Sequence, residues 1–236
     1  MPSLRAQPTL EQVSRESRER ANPSLRNPSW LILRRRRRVL EEKIRSLPTE
    51  GLMVLDVGGR LQPYRQLLGS RVGSYIAIDP QLTPLVDVAA VAEALPFRGD
   101  QFDLVVCTQV MEYFPDPARA VEEIRRVLRK GGFVFLSVPS VFVRDNDNEY
   151  WRFLPAGLRY LLRQFDSVEV IPEGNSLTGL FRTLNVFLVS FFRPRILLPL
   201  CRWTLVPLVN VAGLVLERAG GCNEHFTANF SVWARK

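Results

Sequence analysis

The sequence predicts an α/β fold with a doubly wound parallel sheet, and three observations carry that expectation. Short apolar runs at 53–57 (MVLDV), 75–79 (YIAID), 102–107 (FDLVVC) and 132–138 (GFVFLSV) are each followed by polar or turn residues. Helical patterns fall between several of them, notably at 62–68 and 117–129. The runs are apolar on both faces, as a sheet covered by helices on both sides requires. A helix over 154–165 and a strand over 168–172 follow. The C-terminal FTANFSVWAR (226–235) alternates apolar and polar residues and reads as a half-exposed edge strand. The segment 174–222 between these last two strands is far longer than a loop, so it is expected to form helices of its own.

Composition and charge bound the rest. The chain has 236 residues, 46% of them apolar and 24% charged, which fits a globular domain with added pieces and excludes a largely disordered chain. Thr9-x-x-Gln12 opens a polar helix over 9–20, and NPSW (27–30) opens a basic helix over 30–46 that Pro48 ends. Residues 1–50 therefore read as a basic helical arm, and 51–236 as the main domain. The run Arg34–Arg38 lies in the arm, where a solvated face is the plain expectation. Phosphates of lipid or nucleic acid are the other candidate, with nucleic acid disfavoured because no aromatic interleaving accompanies the run.

Cys107, Cys201 and Cys222 show no metal-ligand spacing, so no metal is expected, and they fit reduced thiols in a cytoplasmic protein. The first residues lack the apolar core of a secretory signal, and the apolar stretches 184–192 and 203–216 are too short to span a bilayer. The segment 174–222 nevertheless combines Leu, Val and Phe with Arg182, Arg193, Arg195, Arg202 and Arg218. Such a pattern suits an anionic membrane surface at the inner membrane face, with a packed lid or a dimer contact as alternatives.

In an open parallel sheet, ligands bind beyond the carboxyl ends of the strands. The candidate turn is Val54-Leu55-Asp56-Val57-Gly58-Gly59-Arg60, where two glycines let the backbone come close to a ligand. A dinucleotide site would want G-x-G-x-x-G, but Arg60 stands at the second glycine of that spacing and Pro63 at the third. Asp56 at the mouth of the turn would repel a diphosphate, so a cationic, phosphate-free nucleoside suits the site better, and a nicotinamide oxidoreductase is disfavoured. Asp79, closing the next strand, is placed to accept hydrogen bonds from two ribose hydroxyls.

VLDVGG (54–59), YIAIDP (75–80), AEALPF (92–97), FDLVVCTQVMEYFPDP (102–117) and VLRKGGFVFLSVPS (127–140) together resemble a class I S-adenosylmethionine (SAM)-dependent methyltransferase of the type-11-like group. EYWRFLPAGLRYLL (149–162) resembles a stretch in bacterial members associated with cell-surface glycan pathways. The resemblance implies a Rossmann-like, mostly parallel sheet with an antiparallel last strand. It also implies that Asp56, Gly58 and Gly59 cradle the methionine part of SAM and that Asp79 holds the ribose. Ala92 and Glu93 would border the adenine, and Thr108, Gln109 and Val110 would line the methyl-donor side. The family's further glycines are Arg60 and Gln62 here, its usual adenine-reaching Asp is Val91, and its common His is Tyr113 beside Glu112. Arg60 is expected to pair with the SAM carboxylate.

For the methyl acceptor, His225 before an antiparallel last strand and the cluster Asp145, Asp147 and Glu149 after the 132–138 strand are candidate bases, and Trp151 could stack on a sugar. The expected acceptor is a hydroxyl of a sugar, glycan or lipid-linked molecule. A small-molecule or natural-product methyltransferase, or a non-catalytic SAM-fold scaffold, are the alternatives.

Overall fold

A computed structural model describes residues 8–141, 143, 146–191, 197–219 and 223–236. Its elements run α1 (Leu10–Ala21), α2 (Trp30–Ile44), β1 (Leu52–Val57), α3 (Arg65–Leu68), β2 (Val72–Ile78) and β3 (Phe102–Thr108). They continue with α4 (Pro117–Val127), β4 (Leu128–Pro139), α5 (Pro155–Leu161), β5 (Ser167–Pro172), α6 (Ser176–Phe191), α7 (Leu197–Trp203), α8 (Leu205–Ala219) and β6 (Asn229–Arg235). The six strands form one sheet in the order β2-β1-β3-β4-β6-β5. The β1, β2, β3 and β4 ladders are parallel, and β6 is antiparallel to both its neighbours. The expected doubly wound, mostly parallel sheet with an antiparallel last strand is observed.

Each face of the sheet carries its own core. Leu55, Val105, Cys107, Val134 and Leu136 pack with Ala120, Ile124 and Val127 of α4 and Leu158 of α5. Val54, Leu104, Val106 and Phe135 pack on the opposite face with Leu40 and Ile44 of α2 and Leu68 of α3. Residues 1–50 are therefore not a detached arm in their α2 part, which forms one of the layers that keep the sheet dry. The Thr9 capping box is present, with Gln12 N–H donating to Thr9 Oγ1 and Thr9 N–H to Gln12 Oε1.

Two expectations are corrected here. The last strand is not a half-exposed edge, because β6 lies between β4 and β5 and is buried along all but Arg235. Its polar positions face a buried polar network instead of water: Ser231 Oγ donates to Glu173 Oε1 at 2.7 Å. Nor is the arginine run a solvated face. Arg36 is buried on Glu173, Arg35 pairs with Glu217, and Arg37 bonds Glu41 at 2.7 Å and the Ala21 carbonyl at 3.0 Å. Arg34 stacks over the Trp30 ring, which leaves Arg38 as the exposed member.

The segment 174–222 does form helices. Leu197–Ala219, 23 residues that include an 18-residue window of mean hydropathy 1.5, is long and apolar enough by length and composition to cross a membrane, which counting the apolar run from Trp203 did not reveal. Cys107 and Cys201 are buried free thiols, while Cys222, Arg193, Arg195 and Asp145 lie outside the described residues.

Candidate functional site

The chain reverses direction across the sheet at β1, with β2 on one side and β3 on the other, and a cavity of about 580 Å³ opens beyond their carboxyl ends. Its floor is Asp56, Val57 and Gly58 after β1, Ile78 and Asp79 after β2, and Thr108, Gln109 and Val110 after β3. Both glycine N–H groups after β1 donate to the Ile78 carbonyl, Gly58 at 2.8 Å and Gly59 at 2.9 Å, which pins the turn to the neighbouring strand. Gly58 has φ +78°, and a Cβ there would lie 2.3 Å from Val110 Cγ1. Glycine is thus required here both by the left-handed backbone and by the close approach of Val110.

The carboxylates are held apart in role. Asp56 is buried, accepts the Tyr75 hydroxyl at 2.6 Å, and has its pKa pushed up to about 7 by burial. The Tyr75 bond opposes that rise and the nearby Asp79 charge adds to it. Asp79 accepts the Gln81 N–H at 2.8 Å, and burial raises its pKa as well. The 92–97 loop is fixed by α4: Glu123 accepts the Leu95 N–H at 2.9 Å, and Arg126 donates to the Leu95 and Phe97 carbonyls. This places Ala92 and Glu93 on the cavity wall, where Glu93 Oε1 is buried without a hydrogen-bond partner.

Asp56, Gly58, Arg60, Asp79, Ala92, Glu93, Thr108, Gln109 and Val110 all line this cavity. Gly59 does not, since it packs against Ala77 and the Asp56 carbonyl. Arg60 is exposed and donates to Gln81 Oε1 at 3.1 Å. Gln62, where the family resemblance leads one to expect glycine, keeps a left-handed backbone (φ 48°). Its amide donates to the Leu85 carbonyl and accepts from Arg65, side-chain bonds that hold a conformation glycine adopts freely.

The acceptor candidates fare differently. Glu149 lines the cavity and pairs with Arg152 at 2.7 Å. Asp147 is exposed and does not line it. His225 is also exposed and outside the lining, because its loop is tied to the start of α6 by Ser176 bonds to Asn223 and Phe226. Trp151 is outside the lining, with Nε1 donating to the Phe114 carbonyl at 2.8 Å.

Residues that were not expected at the site complete it. Glu112, in a short 3-10 turn after β3, is buried against the cavity with Oε2 lacking a hydrogen-bond partner. Burial pushes its pKa up to about 7; its own backbone N–H and Arg36 pull the other way. Asn27, Ser29, Ile32, Leu33 and Arg36 roof the cavity from the N-terminal region, and Arg182 enters from α6. Burial, reinforced by the Arg36 charge, pushes the Arg182 pKa down to about 9. Arg36 is held by Glu173, whose carboxylate also accepts Ser137 Oγ at 2.5 Å, and Gln109 Nε2 donates to Ser137 at 3.3 Å. A continuous polar chain therefore runs from the roof helix to the floor of the site.

Sheet order, glycine turn and strand-end carboxylates together define a Rossmann-like doubly wound fold with a ligand cavity at its switch point. Residues 55–136 match the family model described as a methyltransferase domain. A ubiquinone biosynthesis O-methyltransferase from Pseudomonas paraeruginosa is 29% identical over 142 residues, covering 52% of this chain and 55% of that one. The chain spans about half the length of the first curated relatives it matches. Among solved structures, the cyclase SpnF superposes with a TM-score of 0.55 at 18% identity, covering 98% of this chain and 97% of that one. A SAM-dependent methyltransferase from Archaeoglobus fulgidus superposes with a TM-score of 0.51 at 13% identity, covering 84% and 94%.

The cofactor this fold implies is SAM, and the residues present fit it. The side-chain-free cradle at Gly58 admits the methionine backbone, and Asp79 offers a carboxylate to a ribose diol. Asp56 supplies negative charge for a cation, and Glu93 offers a buried oxygen without a hydrogen-bond partner on the cavity wall.

Proposed function

We propose that this chain is a SAM-dependent methyltransferase that acts on a hydroxyl group of a small-molecule acceptor, with Glu112 as the general base. When bound, SAM supplies an electrophilic methyl group on a sulfonium. Asp56 and Asp79 would hold and orient the cofactor, and a fixed position for the acceptor beside it would remove much of the barrier. Glu112 Oε2 takes the acceptor proton, a task suited to a carboxylate whose pKa lies near neutrality. Ile32, Leu33 and Leu61 line the cavity with apolar surface and limit water.

The partnerless buried oxygen of Glu112 in the cavity is the observation that carries this reading. The named function of the quinone-pathway relative supports a small-molecule hydroxyl. A sugar or lipid-linked glycan acceptor, expected from the 149–162 stretch, gains no support from Trp151, which is turned to the Phe114 carbonyl. The test is a thermal-shift titration with SAM, followed by transfer of labelled methyl to a panel of phenols and alcohols. A rise in melting temperature with SAM, and label transfer that Glu112→Gln abolishes, are expected. No thermal response to SAM, or full transfer by Glu112→Gln, overturns the assignment.

A further inference from the structure

Two helices of this protein have their polarity reversed. On α8 the buried stripe is Val206, Asn210, Gly213 and Glu217, while Leu208, Val211 and Val215 on the opposite side are exposed. On α6 the buried stripe is Thr178, Arg182 and Asn185, while Leu180, Leu184 and Phe187 are exposed. A helix at a water-facing surface shows the opposite arrangement, with apolar residues inward. On the inner side Asn185 donates to Asn210 at 2.9 Å, Asn210 donates to the Leu25 and Asn27 carbonyls, and Glu217 pairs with Arg35. The outer surface is continuous with α7, where Leu200 is 60% and Trp203 61% exposed, and with Leu208 at 67%. Isolated exposed leucines are ordinary, but an apolar surface shared by three adjacent helices marks a contact surface.

Charge identifies the occupant. Residues 176–219 contain one carboxylate, Glu217, and it is consumed by Arg35. Arg202 and Arg218 are exposed on these helices. Arg26 stacks over the Trp203 ring at 3.2 Å. Arg35 of the arginine run pairs with Glu217, the neighbour of Arg218, so the run borders the end of α8. We propose that the α6–α7–α8 surface docks on an anionic lipid bilayer, with its apolar side chains in the interface and the arginine rim on the headgroups. A second copy of the chain placed face to face would bring these rims together as like charges. A crossing of the bilayer by 197–219 would strip Asn210 and Glu217 from the partners that bury them. Docking also sets the cavity beside the lipid, since α6 carries Arg182 into it and Asn210 braces the Asn27 segment that roofs it.

The proposal is independent of the methyltransferase reading and is tested on the full chain by flotation. The vesicles are phosphatidylcholine alone or phosphatidylcholine doped with phosphatidylglycerol. The protein is expected to float with the anionic vesicles and to lose that binding in added salt. The variant Leu200→Gln/Trp203→Gln/Leu208→Gln, with its circular dichroism unchanged, is expected to stay at the bottom of the gradient. Arg38→Gln and Arg218→Gln are each expected to weaken binding about fivefold. Absence of flotation by the parent protein, equal flotation with neutral vesicles, or undiminished flotation of the triple variant each overturns the proposal. So does a parent protein that fails to float and is a dimer in solution that the triple variant dissolves.

Discussion

Replacing Arg36 with methionine tests how the N-terminal helices are joined to the sheet. Arg36 is 4% exposed and Glu173 fully buried, and the two meet through Nε at 3.0 Å from both carboxylate oxygens and Nη2 at 3.0 Å. Burial opposes the charge on Arg36, but Glu173 more than offsets that and holds the guanidinium above its ordinary pKa. Methionine keeps the stem volume and removes the charge, leaving Glu173 with the Ser137 and Ser231 hydroxyls as donors. Stranding a buried carboxylate in this way costs about 3–5 kcal/mol. For a domain of this size that corresponds to a fall in melting temperature of about 10 °C. The second substitution, Glu173→Gln, removes the stranded charge while still accepting from the serines. The double variant Arg36→Met/Glu173→Gln should therefore recover roughly half of the loss. Urea denaturation of the parent, both single variants and the double variant completes the cycle. A cost for Arg36→Met below about 1 kcal/mol, or no recovery in the double variant, refutes the claim that this pair anchors the roof of the cavity.

Other outcomes follow from the site itself. Glu112→Gln should lower methyl transfer about 100-fold or more and erase the limb of the pH–rate profile near pH 7, where the parent rate rises as the carboxyl deprotonates. Gly58→Ala places a Cβ 2.3 Å from Val110 at a left-handed backbone position, so its thermal response to SAM should vanish. Asp79→Asn should weaken SAM binding about 10- to 100-fold by calorimetry, the worth of hydrogen bonds to a charged acceptor. Asp56 is protonated below about pH 7, and a bound cation favours its ionised form. SAM affinity should therefore fall as the pH drops through that value, with a proton released on binding. Calorimetry in buffers of different ionisation enthalpy measures that proton, and Asp56→Asn should abolish it.

The four parallel strands, the capping box at Thr9 and the turn at 56–60 were legible in the sequence because their signals are local. Two-sided apolar runs, a capping residue and adjacent glycines are read from neighbours a few positions apart. Asp56, Gly58, Asp79, Thr108, Gln109 and Val110 came with them as lining of the cavity, since they sit at or beside strand ends and strand ends have fixed places in a doubly wound sheet. The exceptions show what local reading cannot supply. His225 lies beyond the correct edge of the sheet, as expected, yet its loop is turned outward by bonds to Ser176, 49 positions earlier in the chain.

What the sequence determined by itself is thus the parallel part of the sheet, its glycine turn and the two strand-end carboxylates, Asp56 and Asp79. The tertiary structure alone decided that Glu112 sits unsatisfied in the cavity, that Arg36 within a five-arginine run is a buried roof residue, and that β6 lies inside the sheet. It also decided which side of α6 and α8 faces outward. The physical reason is the same in each case. Whether a polar side chain is hydrated or buried depends on the partner that meets it, and for Arg36 and Glu173 that partner stands 137 residues away.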